Sequence, residues 1–265
     1  MNKTIKVVLI TIMFFGVYYA LQQMFFSDIR KLLNEFISNI GVCHFITYLI
    51  IGIPLFTGVG IIHKFKNFPD VLGLNGSIGK GFLFALICSF PMLIGYAVLF
   101  DFNTELTFTR ILMGALIAAF VEELFFRGIL FGQIYRFTNI GFILSIVFGA
   151  LVFALGHLYQ SQDFTTLVGI FLTTFLGAIL FAWVYVEWNY NLWVSIFLHL
   201  FMNLFWMMFS VSDNAFGGTY ANIFRIITVV FIIGLTVLYK LKKGIKFEIN
   251  KNTLLMKRNW LQHFV

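Results

Sequence analysis

The stretch FVEELFFRG, from Phe120 to Gly128, places two adjacent glutamates and an arginine inside a long apolar segment. The chain around it has 265 residues, of which 60% are hydrophobic and 11% are charged. A soluble domain carries about 25% charged residues, so this composition indicates an integral membrane protein. Charges in the middle of such a chain need a physical reason, and the usual reasons are pairing or function.

Eight apolar runs of roughly 20 residues, the length that crosses a bilayer as a helix, divide the chain. They are Val7–Phe26, Gly41–Ile62, Gly81–Phe100, Ile111–Tyr135, Ile140–Leu158, Thr165–Val186, Leu192–Ser210 and Ile223–Tyr239. The sequence therefore predicts an all-α fold, a polytopic membrane helical bundle of about eight transmembrane helices. Its two cysteines, Cys43 and Cys88, give neither a disulfide framework nor a metal-binding spacing.

The basic residues are distributed unevenly over the predicted connections. With the N-terminus inside, 13 of the 18 Lys and Arg residues fall on the inner side, 4 on the outer side and Arg127 within the membrane. This asymmetry favours cytoplasmic N- and C-termini. Seven of the cations lie between Lys240 and Arg258, after the last apolar run. We attribute the net charge of +7 to contact with anionic lipid and expect no nucleic-acid partner.

The three charges of the opening stretch fall on two faces of the predicted helix. Glu123 and Arg127 are four residues apart, so they share a face and can form an ion pair. Glu122 lies about 100° further around the helix, outside that pair. It needs another partner or a chemical role, and catalysis is the preferred interpretation over a buried structural carboxylate.

Two later spans carry further polar groups. His157 ends the motif FALGH, in which Phe153 places an aromatic ring four residues before the imidazole. His199 and Asn203 share one face of the seventh span. A carboxylate can take a proton from water that an imidazole orients, and His and Asn can stabilise an oxyanion. Each of these three residues by itself could equally be an interhelical hydrogen-bonding residue.

The order EExxxR, FxxxH and HxxxN resembles the CAAX prenyl protease and bacteriocin-processing family of intramembrane proteases (CPBP, or Abi). The resemblance divides the chain into N-terminal spans in residues 1–105, a CPBP-like catalytic core in 106–212, and a last helix with a basic tail in 213–265. It implies an endopeptidase in which Glu122 is the general base and His157 positions the water. His199 and Asn203 would stabilise the oxyanion, with Glu123, Arg127 and Phe153 in support.

The resemblance also leaves the metal requirement open, because members have been described both as metalloproteases and as glutamate proteases. We expect no obligatory cofactor, since Asn203 suits an oxyanion donor better than a zinc ligand. If zinc is bound, its ligands would be Glu122, His157 and His199. One difficulty concerns depth: Glu122 and His199 fall near mid-membrane, whereas His157 falls near the outer end of its span. A shifted helix, an off-centre site or an inverted orientation would each explain it.

Short loops and frequent Phe, Ile, Asn and Lys favour a bacterial cell-membrane protein whose substrate is a peptide or membrane-anchored protein. Processing of a secreted signalling peptide or bacteriocin, or self-immunity, would follow from the resemblance. A proton- or ion-coupled transporter and a non-catalytic scaffold are the alternatives. A transporter would predict an internal repeat, which we do not detect, and a scaffold would predict incomplete motifs.

Overall fold

A computed structural model describes residues 2–257 as a bundle of helices. The helices that build the bundle are α1 (Lys3–Phe36), α2 (Ile40–Ile51), α3 (Ile53–His63), α4 (Ile78–Leu99), α5 (108–137), α6 (Phe142–Leu155), α7 (Phe164–Glu187), α8 (Leu192–Met208) and α9 (Thr219–Lys243). No β-strand occurs within the described range, where only two isolated bridges are found. The predicted all-α class is confirmed.

The predicted spans each correspond to a helical segment. Within residues 2–257, five helices are long and apolar enough to cross a membrane: α1, α4, α6 with its continuation to Gln160, α7 and α9. The pair α2 and α3, bent by 42° at Gly52, makes a sixth span if it is counted as one. The remaining two predicted spans are α8, which has 17 residues, and the composite helix α5.

The two ends of the described chain meet at the loop between α5 and α6. Thr4 Oγ1 donates a hydrogen bond of 3.0 Å to Asn139 Oδ1 in this loop. From the other end of the chain, Leu255 O accepts from Gly141 N at 2.8 Å. The start of α1 and the segment after α9 therefore lie at the same end of the bundle, as an even number of crossings requires.

Helix α5, which carries the opening stretch, is the central element of the bundle. It contacts α1, α2, α3, α6, α7 and α8. Eight of the nine residues in Glu123–Phe131 are buried, including Glu123 and Arg127. Phe125 packs edge-on against Tyr18 at 5.1 Å between ring centroids, and Phe131 packs against Phe142 at 5.6 Å. A helix surrounded in this way must hold its polar groups in contact with protein rather than lipid.

Helix α5 is not the regular α-helix that its sequence predicts. Leu112–Ile117 and Glu123–Phe131 are π-helical, with α-helical turns between and around them. A π-helical turn disturbs the i→i+4 hydrogen-bond ladder, so its carbonyls are open to other donors. Asn203 Nδ2 donates to Gly114 O at 3.0 Å, and Gln133 Nε2 donates to Gly128 O at 3.3 Å. Each side chain satisfies a carbonyl in one π-helical segment: Asn203 reaches it from α8, whereas Gln133 reaches it from within α5.

The segment after α9 folds back onto the bundle instead of extending along the membrane surface. Lys240, counted among the lipid-facing cations, is only 2% exposed and forms an ion pair with Glu187 at the end of α7. The same carboxylate accepts hydrogen bonds from the backbone N–H groups of Glu248 and Ile249, at 3.2 and 2.9 Å. Burial of a charge requires such a partner, so this cation does not contact lipid headgroups. Arg258 lies outside the described residues.

Residues 253–255 of this returning segment cap the N-terminus of α6. The N–H groups of Gly141, Phe142 and Ile143 donate to the carbonyls of residues 255, 253 and 254 at 2.8–3.0 Å. The first N–H groups of a helix have no partner within the helix, and α6 has no side-chain cap. The chain end thus stabilises the helix that carries the FxxxH motif.

Replacing Glu187 with alanine should lower the free energy of unfolding by about 3–5 kcal/mol, because Lys240 is then buried without its counter-ion. Titration of the purified protein in mixed micelles with a denaturing detergent measures this change. The exposed Glu105→Ala serves as the matched control and should shift stability by less than about 0.5 kcal/mol. Equal stability of the two variants would contradict a structural role for the buried pair.

Candidate active site

The two adjacent glutamates of α5 lie in different environments. The side chain of Glu123 is fully buried, and its Oε1 lies 3.1 Å from Arg127 Nη1. The predicted ion pair is therefore confirmed. The side chain of Glu122 is 25% exposed and has no part in this pair. Consecutive positions on one helix thus hold a neutralised structural carboxylate and a second carboxylate that remains accessible.

His199 of α8 lies between the two carboxylates. Its Nδ1 is 2.8 Å from Glu123 Oε1, within hydrogen-bond distance, and its Nε2 is 3.8 Å from Glu122 Oε2. A carboxylate accepts hydrogen bonds, so Nδ1 carries the proton and the other ring nitrogen faces Glu122. The separation of 3.8 Å is too long for a direct hydrogen bond, but one water molecule can bond to both atoms.

The guanidinium of Arg127 lies between two phenylalanine rings. Its Cζ is 4.7 Å from the ring centroid of Phe153 in α6 and 5.6 Å from that of Phe181 in α7. Its nitrogens make no aligned hydrogen bond with the described residues, so the 3.1 Å contact with Glu123 is an ion pair of unfavourable hydrogen-bond angle. The cation is held by one carboxylate and by the faces of two rings.

His157 occupies a turn, whereas its sequence context predicted a position inside a helix. Helix α6 ends at Leu155, and Gly156 separates it from the imidazole. His157 Nδ1 lies 2.7 Å from the Phe153 carbonyl oxygen, and the two rings are 4.6 Å apart. The predicted neighbour is thus confirmed. Because a carbonyl only accepts, Nδ1 donates and Nε2 carries the lone pair.

These contacts form one continuous series across four helices, α5 to α8. The imidazole of His199 lies 5.5 Å from the ring of Phe181. Arg127 therefore contacts one ring beside each of the two histidines. Sequence analysis missed Phe181, because it is one of 36 phenylalanines and belongs to a span without a motif.

Asn203 lies four residues after His199 but is oriented toward the start of α5. One of the two hydrogens on its Nδ2 bonds to Gly114 O, which agrees with the interhelical role considered for this residue. A carboxamide has a second N–H hydrogen. The contact that fixes the side chain therefore leaves one donor for another acceptor.

The predicted zinc ligands are not assembled into a metal site. Within residues 2–257 no group of three or more His, Cys, Asp and Glu side chains has the spacing that holds a metal ion. His157 Nδ1 and His199 Nδ1 are both engaged by protein oxygens. His199 lies beside Glu122, but His157 does not join them in such a group. The described residues do not fit a preformed three-ligand zinc centre.

Replacing Arg127 with methionine should lower the free energy of unfolding by about 3–5 kcal/mol, because Glu123 becomes a buried carboxylate without its cation. The double variant Glu123→Gln/Arg127→Met should lose less free energy of unfolding than Arg127→Met alone, because it has no unpaired buried carboxylate. Detergent-titrated unfolding measures both, with the exposed Arg110→Met as control. Strictly additive losses in the double variant would contradict a direct interaction between the two side chains.

Comparison with known proteins supports a family assignment over part of the chain. Residues 104–205 match the family described as Type II CAAX prenyl endopeptidase Rce1-like. A protein of Bacillus subtilis described as "Putative membrane peptidase YdiL" is 34% identical over 100 residues, which are 36% of this chain and 34% of the relative. The match thus spans about a third of that relative's length. No solved structure matches the chain.

The matched segment contains all three motifs and the side chains that the structure brings together around Arg127. Over residues 104–205 the chain is therefore similar to the Rce1-like family of CAAX endopeptidases, in agreement with the resemblance that its motifs indicated.

Proposed function

We propose that this protein is an intramembrane endopeptidase that hydrolyses a peptide or membrane-anchored protein. The observation that carries the proposal is the accessible carboxylate of Glu122, 3.8 Å from His199 Nε2. An ionisable group within a membrane segment is costly, by about 3 kcal/mol on insertion scales, and is normally retained for function. Glu123 already has a structural partner, so Glu122 is the carboxylate available for chemistry.

In the proposed reaction, Glu122 takes a proton from a water molecule whose oxygen attacks the carbonyl carbon of the scissile peptide bond. The carbonyl oxygen becomes an oxyanion. Collapse of this intermediate breaks the carbon–nitrogen bond, and the proton held by Glu122 passes to the leaving nitrogen. No metal ion is required to balance these steps.

The oxyanion is stabilised by hydrogen-bond donors on α8. His199 supplies Nε2–H when it is protonated, and the second N–H of Asn203 supplies another donor. The hydrogen bond from His199 Nδ1 to Glu123 Oε1 fixes the ring so that Nε2 faces Glu122.

His157 is proposed to orient the attacking water. Its Nδ1 is occupied by the Phe153 carbonyl, so Nε2 can accept a hydrogen from water. The ring of Phe153 contacts both the imidazole, to which it is tilted by 43°, and the guanidinium of Arg127. Phe153 and Arg127 would then act through His157, as positioning residues.

The cellular setting follows from charge distribution and from the motifs. The excess of Lys and Arg on one side favours a cytoplasmic location for both termini. In a bacterial cell membrane, the reaction would serve the processing of a secreted signalling peptide or bacteriocin, or self-immunity. The description of the matching family names CAAX prenyl substrates. By analogy, we infer a substrate that is anchored in the membrane at its C-terminal end.

Glu122→Gln should reduce peptide cleavage by the purified protein at least about 10³-fold, because an amide cannot accept the proton from water. The assay uses fluorogenic and native-like peptides in detergent, and Glu105→Gln is the matched surface control. A zinc chelator should leave wild-type cleavage unchanged. Inhibition that added zinc reverses would contradict the metal-independent reaction, and full activity of Glu122→Gln would contradict the assigned base.

Phe181→Leu should lower kcat by about tenfold with little change in KM, because the ring between Arg127 and His199 is lost while apolar volume is kept. Phe181→Tyr keeps the ring and should retain most of the activity. Phe171→Leu on the same helix, where the ring stacks on Phe175 instead, is the control. An equal loss of kcat in Phe171→Leu would show a general packing effect.

A further inference from the structure

The side of α5 that carries Glu122 packs against the N-terminal helices, which lie outside the segment that matches the family. Phe126 follows Glu122 by four residues, so the two side chains share a face of α5. The ring of Phe126 lies edge-on to that of Phe15 in α1, with 5.3 Å between centroids. Helix α1 therefore packs on α5 one helical turn from the proposed general base.

Two tyrosine hydroxyls lie near the carboxylate of Glu122. Tyr18 of α1 and Tyr48 of α2 both pack on Phe125, with 5.1 and 6.5 Å between ring centroids. Glu122 is the side chain that has the strongest electrostatic interaction with the Tyr48 hydroxyl. For the Tyr18 hydroxyl the strongest such interaction is with Tyr48, followed by Glu122. The carboxylate and the two phenols therefore lie together.

The two hydroxyls have no hydrogen-bond partner within residues 2–257, although their rings are enclosed. Tyr18 is only 2% exposed, and Tyr48 is half-buried. Neither hydroxyl bonds to a described residue, and neither is completely enclosed by protein. Because the side chain of Glu122 is itself partly exposed, a water molecule can lie between this carboxylate and the two phenols.

Packing alone does not account for hydroxyl groups at these two positions. Phe15 contacts the ring of Tyr18 at 5.6 Å, and Phe26 contacts that of Tyr48 at 4.7 Å. A phenylalanine would fill the same space as either tyrosine without an enclosed hydroxyl that needs a partner. The ring of Tyr48 is also held edge-on against His44 at 5.0 Å. A donor that is fixed in this way loses little entropy when it forms a hydrogen bond.

We propose that Tyr48 and Tyr18 are positioning residues for the general base Glu122, an inference that rests on the proposed protease function. A phenol is protonated at neutral pH and donates a hydrogen bond, whereas a carboxylate accepts one. The two hydroxyls donate through water to Glu122 Oε1. Glu122 Oε2, which lies 3.8 Å from His199 Nε2, then remains available to the attacking water. Helices α1 and α2 thus complete a site whose three motifs all lie in residues 104–205.

The first test removes each hydroxyl from the full-length protein and measures peptide cleavage. Tyr48→Phe should lower kcat about tenfold with little change in KM, the effect of losing one hydrogen bond to a charged group. Tyr18→Phe should lower kcat by a smaller factor. Tyr96→Phe is the matched control, because the Tyr96 hydroxyl is buried and donates to Ala221 O at 3.1 Å. This control should lose stability and keep the wild-type kcat.

The second test does not depend on cleavage. Unfolding in a denaturing detergent is measured for Tyr48→Phe in the wild-type background and in the Glu122→Leu background, because leucine cannot accept a hydrogen bond. The shift of the unfolding midpoint that Tyr48→Phe causes should be smaller in the Glu122→Leu background. The shift that Tyr96→Phe causes should be the same in both backgrounds.

Three results would overturn the proposal. A wild-type kcat in Tyr48→Phe would exclude a role for its hydroxyl, and equal losses of kcat in Tyr48→Phe and Tyr96→Phe would show a general packing effect. Equal midpoint shifts for Tyr48→Phe in the two backgrounds would exclude an interaction with Glu122. Absence of cleavage by the wild-type protein would count against the protease function, and the unfolding measurements would still decide whether Tyr48 interacts with Glu122.

Discussion

The ion pair between Glu123 and Arg127 is the constraint on which the rest of the site depends. Both side chains are almost completely buried in a helix that is surrounded by six others. An unpaired charge at such a position would be strongly destabilising, so each residue compensates the buried charge of the other. The pair also contacts three neighbouring helices: Arg127 contacts rings of α6 and α7, and Glu123 accepts from His199 of α8.

One buried pair thereby organises several groups that differ in role. Glu123 accepts from His199 Nδ1, which directs the other ring nitrogen toward Glu122. Arg127 lies between Phe153 and Phe181, and each ring in turn contacts a histidine. In this arrangement Glu122 is the accessible carboxylate of a cluster in which Glu123 and Arg127 are paired with each other. An intramembrane active site needs one reactive carboxylate beside charges that are paired within the protein. Polar groups in the bilayer have no water to pair with, so the protein must supply their partners.

At the opposite end of the molecule a buried charge is again paired with a buried charge of opposite sign. Glu187 and Lys240 form a second buried ion pair, and the carboxylate also receives two backbone N–H groups from the returning segment. That segment supplies the carbonyls that cap α6, so the helix carrying Phe153 is secured at its far end by residues about 100 positions later.

The helical class, the approximate spans, the Glu123–Arg127 pair and the contact of Phe153 with His157 could all be predicted from the sequence, because each depends on composition or on neighbours three to four residues apart. The contact of Asn203 with a π-helical turn of α5, the place of Phe181, the burial of Lys240 and the juxtaposition of His199 with Glu122 could be seen only in the folded bundle. These features join residues that are distant in the chain. Local propensity carries no information about such contacts, since they arise when separate helices pack and their polar groups must find partners away from water.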